Sequence, residues 1–268
     1  MDFGTTFWDA YLWGGLAILI YVILGWVVSI IQRDTSVVDV FWGAGFVLVA
    51  FVFFTLTDGW LTRRILLLSL VAVWGLRLSI YLGIRNQGKP EDPRYAAWRA
   101  KHGDRWPMRS LVTVFFFQGL LMWVIASPLL AAQVPAEPAG LTWLDYAGVA
   151  LWVIGFLFET IGDQQLFNFK KNPENKGRVM DSGLWRYTRH PNYFGEFLLW
   201  WGYGLIALNS GQWWVLISPA LMSAMVMKYS GVGMLEKNLK DSKPGYREYM
   251  KTTSTFFPLP KKSPGTTE

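Results

Sequence analysis

The chain has no cysteine. That excludes disulfides, thiolate nucleophiles and cysteine-held iron–sulfur clusters, and it leaves the redox compartment unread. Histidine is almost as scarce: His102 and His190 are the two in the chain, too few for a histidine-rich metal site, and no metal ligand set is expected. Charged residues make up 16% of the sequence, against about a quarter in soluble domains. No G-x-G-x-x-G follows a strand-like run, so a Rossmann domain is not how this chain would hold a nucleotide. The first ten residues, MDFGTTFWDA, lack the basic stretch of a cleavable signal, so the apolar run after them reads as a retained first helix.

What is abundant is apolar. Hydrophobic residues reach 52%, with 16 Trp among 268 residues, and Trp gathers at bilayer interfaces because its ring is apolar while its N–H wants a polar partner. The expected class is an all-α polytopic membrane protein, a single integral membrane domain over 1–268 with N-terminal helices in 1–135 and a C-terminal region in 142–260. About twenty apolar residues cross the hydrocarbon core. By that rule, spans fall at 10–31, 37–57, 64–84, 110–132, 142–168, 193–209 and 212–235, a seven-helix bundle.

Lys and Arg orient it, because cytoplasmic loops keep the positive excess. Arg85, Lys89, Arg94, Arg99, Lys101, Arg105 and Arg109 fill the third connection, and Lys170, Lys171, Lys176, Arg178, Arg186 and Arg189 fill the fifth. The fourth and sixth connections carry none. Arg63 and Arg64 are the exception, on an outer connection. The pattern predicts an N-terminus outside and a C-terminus in the cytoplasm. Most of the formal charge of +6 is thereby topology, and no nucleic-acid partner is expected.

An ionisable side chain within a span costs at least a few kcal/mol on insertion scales, so it marks a partner, a cavity or a site. Asp39, Arg77, Glu159, Asp163, Glu196 and Lys228 qualify, and the orientation puts all six in the cytoplasmic halves of their helices. Each alone can snorkel to the interface or pair only to hold the bundle. Six from five helices at one depth point to a polar pocket open to the cytoplasm. Glu159 and Asp163, four apart, share a helix face. In the segment SGLWRYTRHPNYFGEFLLWWGY, Pro191 suits the first helical position, and Asn192, Glu196 and Tyr203 form a polar stripe on the helix it starts. Arg186 and Arg189 beside that helix N-terminus make a place for phosphate.

The same segment resembles the C-terminal signature of the membrane steroid 5α-reductase family. The likeness extends back through ETIGDQQLFNFKKNPENKGRV and forward to GYREYMKTTSTFFP, covering roughly 155–260 well and the N-terminal half poorly. It implies a seven-helix bundle that binds NADPH from the cytoplasmic side. Position by position, it implies dinucleotide contacts for Asp163, Lys170, Arg178, Tyr187, Asn192 and Glu196. Glu159, Arg189, His190 and Tyr203 join them as candidates from the residues themselves, and Lys89 enters from NQGKP, which resembles a family Asn-Arg-Gly-Arg-Pro.

The implied reaction is hydride transfer to an activated C=C of a lipophilic, steroid-like or other lipid substrate, with an acid near the carbonyl. In the steroid reductases that acid is a Glu on the second helix with a Tyr on the third. Asp39 is the only carboxylate of the second span here and takes that role, with Tyr81 as the candidate hydroxyl. Asp39 can equally be an N-cap, and Arg77 can pair with it. RHPNY also resembles isoprenylcysteine and phospholipid methyltransferases, which makes S-adenosylmethionine the alternative cofactor. The expected location is a bacterial inner membrane, with membrane lipid as surroundings and no obligate protein partner.

Overall fold

The computed structural model describes residues 3–229, 232, 236, 239, 240 and 243–262. Eleven helices are used below: α1 (Phe3–Gln32), α2 (Val37–Leu56), α3 (Leu61–Asn86), α4 (Pro93–His102), α5 (Trp106–Ser110), α6 (Phe117–Ile125), α7 (Ser127–Ala131), α8 (Trp143–Lys171), α9 (Pro191–Ala207), α10 (Ile217–Ala224) and α11 (Tyr246–Thr252). A π-helical stretch, Leu111–Phe116, joins α5 to α6. The protein is all-α and polytopic. Among the described residues, five helical runs are long and apolar enough to cross a membrane: Thr6–Gln32, Val37–Leu56, Leu61–Asn86, Pro93–Ala131 and Trp143–Lys171. Against the seven spans expected, α9 has 17 residues, and Trp213–Met227 is a shorter apolar helix. The remainder of the expected seventh span lies partly outside the described residues, as do the Lys228 side chain and Lys237.

The chain divides into two compact units, Met1–Thr142 with Ala207–Ser218, and Trp143–Ile206 with Pro219–Glu268. In the first, α2 and α3 meet backbone to backbone, since a Cβ on Gly43 would lie 2.3 Å from the Gly75 carbonyl oxygen. Small residues allow such approach, which in lipid replaces the hydrophobic effect as a source of helix association. At the same level the Ala44 N–H donates to Ser79 Oγ at 2.9 Å. α1 binds α6 through Trp123, whose Nε1–H donates to the Tyr11 carbonyl at 2.9 Å while its ring stacks on Tyr11. Arg63 is fully buried, its Nη2 donating to the Gly140 carbonyl at 2.8 Å. Arg63, one of the two arginines that break the charge pattern, thus ties the start of α3 to the loop at Gly140.

The third connection contains a helix as well as polar punctuation. Asp92 caps α4 by accepting from the Arg94 N–H at 2.9 Å, and Pro93 starts it. α4 is then tied to the start of α2. Arg99 forks onto Glu91 at 2.9 Å, Glu91 accepts from the Thr35 N–H at 2.7 Å, and Ser36 Oγ accepts from the Asp92 N–H at 2.7 Å. Burial works against ionisation of Glu91, but the bonds from Arg99 and Thr35 hold its carboxyl below the usual range.

Candidate cofactor site

In the second unit α8 and α9 run antiparallel, and glycines let them touch. Gly148, Gly155 and Gly162 recur every seven residues on α8, as do Gly195 and Gly202 on α9. A Cβ on Gly195 would sit 2.4 Å from the Gly155 carbonyl oxygen and from the Glu159 nitrogen, and one on Gly148 would sit 2.7 Å from the Gly202 carbonyl oxygen. The seam brings polar side chains of both helices together near the start of α9. Glu159 and Asp163 are buried, and the Asn192 Nδ2 donates to Asp163 Oδ1 at 3.2 Å. The other end of that amide, Asn192 Oδ1, is buried without a hydrogen-bond partner. Glu196 is within electrostatic reach of Asp163. Deeper in the seam, Tyr203 is fully buried and its hydroxyl accepts from Trp152 Nε1 at 2.9 Å.

The segment before α9 is stapled to α8 and to the C-terminal strap. Trp185 Nε1 donates to the Gly162 carbonyl at 3.0 Å, and Gln165 Oε1 accepts from the Leu184 N–H at 3.0 Å. Arg189 is buried and fully engaged. Its guanidinium bonds to Glu236 at 2.7 Å, to the Met250 carbonyl at 2.9 Å, to the Thr253 carbonyl at 2.5 Å and to Thr255 Oγ1 at 2.7 Å. His190 Nε2 lies 3.2 Å from Glu236 Oε1, with the ring stacked on Tyr193. Burial would raise the Glu236 carboxyl, but the hydrogen bonds from His190 and Arg189 and the charge of Arg189 bring it down to about 2. Arg189 therefore ties the strap, residues 253–262, and Met250 to the start of α9, and His190 faces the shared Glu236, contacts other than the cofactor ones expected of them. No sequence spacing announces this, because their partners lie about fifty residues or more downstream.

The remaining candidates of this unit are peripheral. Lys170 is exposed in the last turn of α8, Arg178 is exposed in the loop after it, and the Arg178 carbonyl accepts from Lys243 Nζ at 2.8 Å. Tyr187 is half-exposed, and its carbonyl accepts from the Leu259 N–H at 3.0 Å.

Asp39, Tyr81 and Lys89 belong to the first unit. Asp39 occupies the first turn of α2, but the residue at the N-cap is Ser36. Its carboxylate receives the Tyr95 hydroxyl at 3.5 Å and faces Arg94 at 4.0 Å. Arg77 lies over the Tyr81 ring at 5.1 Å, with Arg85 at 5.8 Å. The tyrosine hydroxyl at Asp39 is thus that of Tyr95, which sequence reasoning passed over because α4 was read as connecting loop. The signal available was the Asp92–Pro93 helix start. Lys89 is exposed beyond the end of α3. Among the described residues, no group of three or more His, Cys, Asp or Glu could hold a metal ion.

A Schizosaccharomyces pombe protein described as uncharacterized is 27% identical over 276 residues, 91% of this chain and 79% of its own. The 3-oxo-5-alpha-steroid 4-dehydrogenase 1 of Bos taurus is 38% identical over 66 residues, 25% of this chain and 26% of that one. Steroid 5-alpha-reductase DET2 of Gossypium hirsutum is 30% identical over 64 residues, 24% of this chain and 25% of its own. The chain therefore spans about a quarter of the length of these steroid reductases. No solved structure matches. A family model described as "Protein of unknown function (DUF1295)" matches residues 25–253, most of the chain, and this protein belongs to that family.

Proposed function

We propose that the protein is a membrane-embedded reductase that uses NADPH to saturate an activated C=C bond in a lipophilic substrate. In this reading it has seven spans, its N-terminus lies outside and its cofactor site faces the cytoplasm. One observation carries the cofactor assignment: Asn192 Oδ1 is a buried acceptor without a donor, set beside Asp163 at the mouth of α8 and α9. Leaving such a group unpaired costs about 1–3 kcal/mol, which a ligand donor would relieve. A carboxamide or ribose hydroxyl offers that donor, and the carboxylates of Glu159, Asp163 and Glu196 accept others. Lys170 and Arg178, exposed at the same end of the unit, suit the diphosphate and the 2′-phosphate. Tyr187 and Lys89 keep the cofactor roles that the resemblance implies. Arg189 and His190 act by fixing the backbone that leads into α9. The partial likeness to steroid reductases supports the reaction class.

When bound, the nicotinamide supplies the hydride. Asp39 is the proposed proton donor, with the Tyr95 hydroxyl on its carboxylate orienting it. An S-adenosylmethionine-dependent methyltransferase is the second reading, favoured by the three carboxylates of Glu159, Asp163 and Glu196, which suit a sulfonium cation. Within the reductase reading, the 2′-phosphate role is tested at Arg178. Arg178→Ala should weaken NADPH about tenfold, the value of one charge-assisted hydrogen bond, while barely touching NADH. Equal losses for both nucleotides, measured by direct titration, would reject the 2′-phosphate role.

A further inference from the structure

We propose that the C-terminal strap, residues 253–262, is a membrane-interface anchor that seats on anionic phospholipid headgroups. This does not rest on the cofactor reading. The strap carries two large apolar side chains turned outward, Phe257 at 55% and Leu259 at 54% exposure. Neither is adrift, because the Phe257 ring lies 6.0 Å from that of Phe194 and 6.2 Å from that of Phe197, both on α9. Phe197 is six residues past Pro191, about 9 Å along the helix axis. Phe257 therefore sits against the first two turns of α9, where the expected span 193–209 begins.

Part of the backbone suits that environment. Pro258 and Pro260 have no N–H to leave unpaired, the Leu259 N–H donates to the Tyr187 carbonyl at 3.0 Å, and the Phe256 carbonyl accepts from Thr188 Oγ1 at 2.8 Å. Satisfied polar backbone is what distinguishes a segment that can enter lipid from an ordinary surface loop.

The polar end of the strap is cationic. Lys261 and Lys262 follow directly and are exposed, with Arg186 and the half-exposed Tyr187 beside the same backbone. Asp181 lies 3.5 Å from Lys261 and offsets part of that charge, which leaves Lys262 and Arg186 as the principal cations. An apolar pair on a partly paired backbone, with lysines directly following, is the arrangement of an interfacial anchor, and the sign of the charge selects anionic over zwitterionic headgroups. Since the strap also holds Thr188 and Arg189 just before α9, lipid seating steadies the start of α9.

The chain's lack of cysteine makes the test clean. Leu259→Cys carrying a spin label is placed in nanodiscs of phosphatidylcholine alone, or of phosphatidylcholine and phosphatidylglycerol in equal parts. The label should be reached by dissolved oxygen and shielded from a water-soluble nickel chelate, more so with phosphatidylglycerol. Lys261→Gln and Lys262→Gln should each cut the preference for phosphatidylglycerol, up to about fivefold for a lysine near the surface and less for Lys261. A label open to the nickel chelate in both lipids overturns the anchor. A response to inorganic phosphate as large as that to phosphatidylglycerol overturns the lipid as its source. Neither readout involves NADPH, so failure here is distinct from failure of the reductase reading.

Discussion

Arg189 illustrates how a residue's meaning depends on what folds against it. In the sequence it is one cation of a basic segment before a helix. In the structure its guanidinium closes four hydrogen bonds to Glu236 and the strap. Lysine cannot reproduce that fork, so Arg189→Lys should cost about 3 kcal/mol, the low end for breaking a buried pair, read as a lowered unfolding midpoint. Glu236 gives the pH dependence. Its folded pKa, about 2, lies below the ordinary 4.5, so its contribution is complete above about 4.5 and is lost as pH falls toward 2. Hydrogen-exchange protection factors of residues 246–256 should fall across that window, and in Glu236→Gln they should already be low at neutral pH with no such step. A step of unchanged size in the variant would assign it to another carboxylate. Asn192 carries a mixed signature: Asn192→Ala removes an unsatisfied acceptor but also the donor to buried Asp163, so it should weaken NADPH severalfold and cost about 1–3 kcal/mol of stability. The carboxylates and the amide were legible because ionisable groups in apolar runs are rare. Tyr95 was not, since a ten-residue helix inside a charged connection has no apolar run to betray it.

At the scale of elements, the beginning of α9 at Pro191 and the long apolar helices could be read directly, because proline and twenty-residue runs act locally. The glycine seam was not read from the sequence, because a seven-residue spacing on α8 and on α9 means nothing until the two helices are known to be partners. Its consequence is testable. Gly195→Ala places a methyl against the backbone of Gly155 and Glu159, which cannot yield as a flexible side chain would. The expected cost is about 1–3 kcal/mol together with weaker nucleotide binding, whereas Gly140→Ala, with open space around it, should be silent in both assays. Equal effects at the two positions would remove the seam from the account. The π-helical stretch Leu111–Phe116 had no signal in the sequence, because an extra residue in a helical turn leaves the hydropathy of the span unchanged.

Across the whole molecule, composition settled the membrane class, because surplus apolar area has nowhere else to go. Topology rests on the basic connections and is the natural target of cysteine scanning in a chain that has none. Ala139→Cys should react with an impermeant maleimide added to intact cells, and Lys176→Cys only after permeabilisation. The reverse pattern would invert the orientation. The most direct test of the central claim is thermal unfolding of the purified chain with NADPH and, separately, with S-adenosylmethionine. A ligand that binds the folded state alone raises the midpoint by mass action, by about 2.7 kcal/mol at a hundredfold excess over its Kd. NADPH should raise it and the methyl donor should not; stabilisation by S-adenosylmethionine alone would contradict the reductase.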